Sequence, residues 1–579
     1  MRVSRAVAAT LVLGVVLLGG LCWAASRVWE AADALQDVSS DGRVAVDAAQ
    51  SGDVAALQSS LQTMAAAADR AADAAADPTW PVAEAMPVLG DDIRAIRIVA
   101  DTAHALSAAL SGPAAALGTD AGTAASGVSA AAADLGALAP ALTDAVAAVA
   151  QARTELATLD TASLLSPVAK GVEQLRDVLE QVSPALDAAR AVAAFVPTIM
   201  QTDGAQVLVV LQNGAEVRTG GGITGSFLLF QVQGGELTLV AQADSSAFSA
   251  RATPIVPVRD SQTALYGDVS GRFVQNISMT ADFAETAQLA SAWWQSIGYS
   301  APDAVVSLDV PTIAALLNVV GAIDLPDGTQ LTADNAVQRL LVDPYLTLDS
   351  DAQTAMMQSA AATVFTAVTT AQLEPLRLLG ALSGPVSEGR VSIWSSDSSV
   401  EELLSASLLG GTSARVAAAG PDAFAIAFND ATGGKMDSFL HVDVAVQTST
   451  CRADGRSDVV VKLTMTSTAP ASAAAVFPPS MTGNGIYGTA IGDIGTSVSV
   501  SAPPGSFFRG VMKDTATALS VDVEDDGRPT SLVRVNLSPG EINVVTFRFI
   551  TATADPIDPA VVLTPLLNMP QVTIEQAAC

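Results

Sequence analysis

The chain has 579 residues and a formal net charge of −31; half its residues are hydrophobic, yet only 4% are aromatic. That length exceeds a single hydrophobic core and sets an expectation of three or four units. The charge argues against nucleic acid as a partner, because nothing offsets phosphate repulsion, and it suits an exported acidic surface.

Arg2 and Arg5 precede an apolar run from Ala6 to Ala25, and Arg27 comes after it. Twenty apolar residues match the thickness of a bilayer core. The early arginines favour a cytoplasmic N-terminus with the rest of the chain outside. The expectation is an uncleaved signal-anchor over 1–26. Cleavage after Ala24 is the rival, with Cys22 and Ala24 flanking Trp23. No other segment reads as long enough to span, so the chain reads as single-pass at the cell membrane.

Residues 27–196 read as an alanine-rich helical bundle or stalk. Leu57, Leu61 and Met64 are spaced 4 and 3. Leu135, Leu138, Leu142, Val146 and Val149 repeat that rhythm, as do Val168, Val172, Leu175, Leu179 and Val182. Breaks are expected from Pro78 to Pro87, at Gly112-Pro113, between Gly118 and Gly127, and near Pro167, with Pro197 closing the bundle. His104 lies on such a helix as a solvent-facing or packed residue.

A central α/β domain is expected over 197–382. Strands are expected at Ala205–Leu211, Phe227–Val232 and Leu237–Val240, then at Ala304–Leu308. Helices are expected at Phe283–Ile297, Thr312–Val320, Asp334–Leu341 and Ala352–Thr370. Between the first two strands lies LQNGAEVRTGGGITGSF, from Leu211 to Phe227. Gly220, Gly222 and Gly225 formally spell GxGxxG, but a dinucleotide site needs a helix next, and the residues after Gly225 are β-branched and aromatic. Two readings stay open for this stretch. Arg218 with the N–H groups of Gly220, Gly221 and Gly222 could cradle an anion. Alternatively the glycines permit a tight β connection, and Arg218 pairs with Glu216 or a nearby aspartate. Asp244 is a possible metal ligand or a solvated loop residue. Trp293 and Trp294 read as core plus rim.

Asn213, Glu216, Arg218 and Gly220-Gly221 resemble the signature of the bacterial family named domain of unknown function 4012. The resemblance extends from about residue 196 to 579 and includes Asn429-Asp430-Ala431-Thr432-Gly433-Gly434-Lys435-Met436-Asp437. It implies an architecture and a location, with no established reaction.

The element order over 205–370 is also similar to the LytR-CpsA-Psr envelope phosphotransferases. The matching stretches run from Ala301 to Pro326 and from Leu331 to Leu341. That resemblance implies an apolar cleft for a polyprenyl chain, arginines on its pyrophosphate and a Mg2+-binding aspartate. This sequence departs from the pattern. Ala243-Asp244 stands where the family has Arg-Asp, and Asp343 to Gln358 contains no arginine. Losing bidentate cations weakens the case for phosphoryl transfer.

Residues 383–579 read as a β-sandwich-like domain, apart from a short helix at Val400–Leu409. Asp522 to Gly527 mimics the start of an EF-hand loop, but Val533 stands at position twelve, so a hairpin turn is expected. His441 lies in an alternating strand and reads as structural. Cys451 and Cys579 would both lie outside the cytoplasm and are expected to be disulfide-bonded, with Cys22 alone in the membrane.

The fold class expected is therefore multidomain α+β. The expected function is non-catalytic binding or organisation of cell-envelope glycopolymers, peptidoglycan or polyprenyl-phosphate carriers. A glycopolymer phosphotransferase using Mg2+ and a structural surface or adhesion protein are the alternatives. An apolar cleft opening at Arg218 would favour the carrier readings; a filled core with Arg218 paired internally would favour the structural one.

Overall fold

The computed structural model describes residues 23, 25–45, 47–48, 53–116, 128–325, 327–371 and 375–577. The chain is mixed α/β and falls into two compact units. One takes residues 1–125, 130–194 and 374–380; the other takes 126–129, 195–373 and 381–579.

The first unit is helical. Helix α1 covers residues 25–45, and α2 spans Val54–Ala75, capped by Asp53, whose carboxylate accepts from the Ala56 N–H at 2.9 Å. A short α3, Trp80–Glu84, occupies the proline-rich stretch, and α4 spans Gly90–Ala116. Helices α5, Val128–Ala157, and α6, Ser166–Met200, come next. Two expected interruptions are corrected: α4 runs through Gly112-Pro113, and α6 runs past Pro197 to Met200. Pro167 sits in the first turn of α6, where its missing N–H costs nothing. Ala31, Ala34, Ala71, Ala74 and Ala100 surround Trp80, so small side chains let backbones approach around one large ring. Leu106, Val149, Leu156, Val172 and Leu179 form a second core.

The expectation that no second segment is long enough to span is also corrected. Ala132–Ala157 and Ser166–Met200 are both long and apolar enough to cross a membrane. They meet that measure because alanine counts as apolar while adding little bulk. The N-terminal run expected as anchor lies, except for Trp23 and Ala25, outside the described residues.

In the second unit, β1 (Gln206–Asn213), β2 (Ile223–Gln233) and β3 (Glu236–Asp244) form an antiparallel run. Short helices α7 (Asp260–Tyr266) and α8 (Val269–Arg272) follow β3, and α9 spans Phe283–Ser296. Strand β4, Ala304–Asp309, pairs in parallel with β1, and α10 (Val310–Val320) starts directly after it. A small ladder joins β5 (Ile323–Asp324) to β6 (Gln330–Leu331). Next come a π-turn at Gln338–Val342, α11 (Asp343–Thr347), α12 (Ser350–Thr370) and α13 (Pro375–Glu388). Strand β7, Ser392–Ser395, then completes a five-stranded sheet of order β3-β2-β1-β4-β7. One face carries Leu208, Val210, Phe227, Leu229 and Val305 under Phe283, Trp293 and Trp294 of α9. Both tryptophans are fully buried, so neither is a rim residue. Leu317 of α10, Leu340, Leu341 and Val364 of α12 form a separate core that takes in Ala215.

Helices α14 (Ser398–Ser405) and α15 (Thr412–Ala418) lead to a strand-rich region. Strands β8 (Phe424–Asp430), β9 (Leu440–Ser449) and β10 (Asp458–Ser467) precede two short helices, α16 (Ala473–Val476) and α17 (Pro479–Thr482). Then come β11 (Ile494–Ser501), β12 (Phe507–Lys513), β13 (Ala516–Ala518), β14 (Val521–Asp525), β15 (Arg528–Leu537), β16 (Ile542–Ile550), β17 (Val561–Leu563) and β18 (Gln571–Gln576). They make two sheets, β13-β12-β16-β10-β9-β18 and β14-β15-β11-β8-β17. Phe428, Val498 and Val535 of the second sheet share one core with Val444, Leu463 and Phe547 of the first. Between β14 and β15 the loop is Asp526-Gly527, both at positive φ (53° and 72°), with Asp525 opposite Arg528. That is a two-residue hairpin turn, which an aspartate-glycine pair favours.

Candidate functional site

The glycine-rich stretch between β1 and β2 folds back as a loop that enters the two-sheet core. Val217 is fully buried and packs among Phe428, Met436 and Met481 in that core. Its N–H donates to Asp437 Oδ2 at 2.8 Å, and its carbonyl accepts from the Asp430 N–H at 2.8 Å. Thr219 is clasped by Asn429, whose Oδ1 accepts from the Thr219 N–H at 3.0 Å and whose Nδ2 donates to Thr219 Oγ1 at 2.9 Å. Thr564 Oγ1 donates to the Thr219 carbonyl at 3.1 Å. The stretch from Asn429 to Asp437 therefore receives residues Ala215 to Thr219 of the loop.

A charged cluster lies inside this joint. Arg218, only 6% exposed, donates from Nε to Asn276 Oδ1 at 3.0 Å, from Nη1 to the Val217 carbonyl at 2.8 Å and from Nη2 to Glu216 Oε1 at 3.0 Å. Asp430 Oδ2 lies 3.9 Å from Nη1. Glu216 binds Lys435 Nζ through its other oxygen. Tyr345 closes the cluster: its hydroxyl accepts from Asn213 Nδ2 at 2.9 Å, and its ring centroid lies 5.3 Å from Lys435 Nζ.

Three acids thus share the space with two cations. Burial works to raise the Glu216 carboxyl, but Lys435 and Arg218 outweigh it and hold it below the usual carboxylate range. Asp430 goes the other way: burial, with the Glu216 charge beside it, pushes it up to about 6 despite Arg218. Burial and the neighbouring Asp430 raise Asp437 well above the usual range. Its Oδ1 is buried with no hydrogen-bond partner. Burial disfavours the Lys435 ammonium, yet Glu216 more than restores it and raises its pKa.

The expected anion cradle rests on Gly220, Gly221 and Gly222. Their N–H groups donate to the Ser278 carbonyl (2.8 Å), the Arg218 carbonyl (2.8 Å) and Gln212 Oε1 (3.1 Å), so each is engaged by the protein. The glycines serve close packing instead. A Cβ on Gly222 would stand 2.4 Å from the Asn213 carbonyl group, and Gly221 has φ 130°. Asp244 caps a short turn by accepting from the Ser246 N–H at 2.7 Å. Among the described residues no group of three or more His, Cys, Asp or Glu side chains is placed to hold a metal ion.

Sequence reasoning assigned no role to a second buried pair. Arg390, just before β7, donates to Asp309 Oδ2 at 2.8 Å and to the Leu566 carbonyl at 2.6 Å. Asp309 in turn caps α10 through the Thr312 N–H at 3.0 Å. Nothing in the local pattern around Arg390 signals a partner so distant in sequence. A cleft of about 670 Å³ lies elsewhere in the second unit, its lining more apolar than polar, with Val416, Pro503 and Ile557 beside Arg259, Asp525 and Arg528. Cys451 is disulfide-bonded. Its expected partner Cys579, like Cys22, lies outside the described residues.

Residues 203–345 match the model of a protein family. It is described as protein of unknown function (DUF4012). The matched segment includes the whole inserted loop, the sheet strands β1 to β4 and Tyr345, which ends it against Lys435. The DUF4012 resemblance read from Asn213, Glu216, Arg218 and Gly220-Gly221 therefore stands over this segment. No curated protein matches the chain.

Proposed function

We propose that this is a non-catalytic scaffold protein of the bacterial cell envelope, held at the membrane by its N-terminal run and presenting the second unit outside the cell. The observation that carries the reading is the commitment of Arg218 and the Gly220–Gly222 N–H groups to protein partners. A phosphotransferase of the LytR-CpsA-Psr kind needs cations free to meet a pyrophosphate and a Mg2+ ion. Here the cation of the loop is buried against Glu216, and Asp244 caps a turn. The two sheets around one core are read as a β-sandwich whose rigidity the inserted loop secures. Contact with envelope glycopolymers then falls to exposed surfaces such as the cleft beside Arg259 and Asp525.

A reporter enzyme active only outside the membrane, fused after Cys579, should be active, and the mature protein should fractionate with membranes while retaining Met1 to Ala25. Recovery of the protein in the medium with a new start near Ala25 would overturn the tether. Polyprenyl pyrophosphate incubated with the full chain and Mg2+ should remain unconsumed; turnover would overturn the non-catalytic reading.

The oxidising location also bears on the cysteines. Strand β18 pairs in parallel with β9, and the Ala577 N–H donates to the Thr448 carbonyl at 2.8 Å, close before Cys451. We expect Cys451 to be bonded to Cys579, which ties the last strand to the sheet edge. Thiol titration of unfolded, non-reduced protein should find Cys22 alone, and two further free thiols would end the claim.

A further inference from the structure

The joint between the glycine-rich loop and the Asn429–Asp437 stretch places an amine directly on a carboxyl group in a dry site. Lys435 Nζ contacts Glu216 Oε2, and the two side chains are 12% and 7% exposed. The Tyr345 ring covers the amine from another side. Arg218 Nη2 holds the second carboxyl oxygen, Glu216 Oε1, at 3.0 Å. Asp437, 3% exposed, anchors one oxygen on the Val217 N–H and leaves Oδ1 without a partner in the same cluster.

We propose that Lys435 and Glu216 condense into an intramolecular amide that covalently staples the inserted loop to the two-sheet region. The arrangement supplies each requirement of that condensation. The ion pair is the resting form, since Lys435 and Arg218 hold Glu216 ionised and Glu216 holds the Lys435 ammonium. Exclusion of water narrows the gap to the neutral amine and acid, which are the minor, reacting species. A proton first moves from Lys435 Nζ to Glu216 Oε2. The Nζ lone pair then attacks Glu216 Cδ, and the negative charge that develops on Oε1 lies against the Arg218 guanidinium. Asp437, whose buried Oδ1 has no hydrogen-bond partner, is assigned the relay: it gives its proton to the departing oxygen and takes the surplus proton from nitrogen in exchange. Oε2 leaves as water, so one ammonium and one carboxylate become one amide and one water, with no change of oxidation state. The remaining cluster keeps its balance, with Arg218 facing Asp430. The covalent step goes beyond the scaffold reading, which holds with an ion pair or an amide.

Full-length protein should be purified, reduced, denatured and digested, and its peptides weighed. The expected product is a branched peptide joining the Glu216 and Lys435 segments, one water lighter than their sum. Lys435→Arg should abolish it, and Asp437→Asn should slow its appearance at least tenfold in freshly folded protein. Wild-type protein that yields only linear Glu216 and Lys435 peptides at full mass would overturn the amide, leaving an ion pair. Undiminished formation in Asp437→Asn would overturn the relay. Because the wild-type digest decides the first point, the proposal does not depend on any variant folding.

Discussion

Replacing Arg218 by alanine should lower the stability of the second unit by about 3–5 kcal/mol, the scale for breaking a buried ion pair by removing one partner. The substitution leaves Glu216 Oε1, the Val217 carbonyl and Asn276 Oδ1 without their donor, and Asp430 without its nearest cation. A domain has only about 5–15 kcal/mol in hand, so the loss should be plain in melting and urea unfolding. Arg218→Lys should fall between, because an ammonium keeps the charge but cannot serve three acceptors in a plane. Titration with a polyprenyl phosphate should show no difference among the three proteins. Lost lipid binding at unchanged melting temperature would show instead that the guanidinium serves a ligand.

Stability should also fall as pH rises from about 4 to 7, against the usual trend for carboxylates. Asp430 is raised in the folded protein from 3.8 to about 6. Across that window the folded state keeps a proton that the unfolded chain has released, so deprotonation favours unfolding. Its stabilising contribution is fully present below pH 3.8 and is gone above the folded value. A two-unit shift corresponds to a change on the order of 3 kcal/mol. Asp437, raised by burial and by Asp430, acts with the same sign at higher pH. In the ion-paired, uncondensed form Glu216 acts with the opposite sign: burial raises its pKa but Lys435 and Arg218 lower it further, so its contribution is lost on acidification below 4.5. Urea unfolding of wild type and Asp430→Asn from about pH 4.5 to 8 isolates the effect. The variant should lose some stability at every pH, since Asp430 accepts from the Thr432 and Gly433 N–H groups, but its slope should be flatter. Equal slopes would refute the assignment.

Much of the secondary structure is legible locally. The run from Val207 to Leu211 reads as a buried strand and forms β1, and the aspartate-glycine pair at 526–527 reads as a hairpin and makes one. Helix ends are harder to read, because proline costs a helix one hydrogen bond that surrounding packing can offset, as at Pro197. Strands β12, β17 and β18 are not legible in this way. Their pairing comes from distant partners; β12 and β17 lack a clean alternation, and the alternating Val572 and Ile574 of β18 are exposed rather than packed.

The candidate site divides along the same line. Composition, periodicity and the two motifs determined by themselves that the chain is mixed α/β, that its N-terminal part is alanine-rich helix and that Arg218 and the glycines form one piece of loop between two strands. They left two roles open for that piece, since an anion cradle and a tight β connection ask for the same residues. Only the tertiary structure decided between them. It brings Asn429, Asp430, Lys435 and Asp437 onto Thr219, Arg218, Glu216 and Val217, more than 200 residues away, while the Arg218 guanidinium and the Gly220, Gly221 and Gly222 N–H groups donate to protein acceptors. Whether a buried charge awaits a ligand depends on what stands opposite it in space, and local sequence does not carry that information.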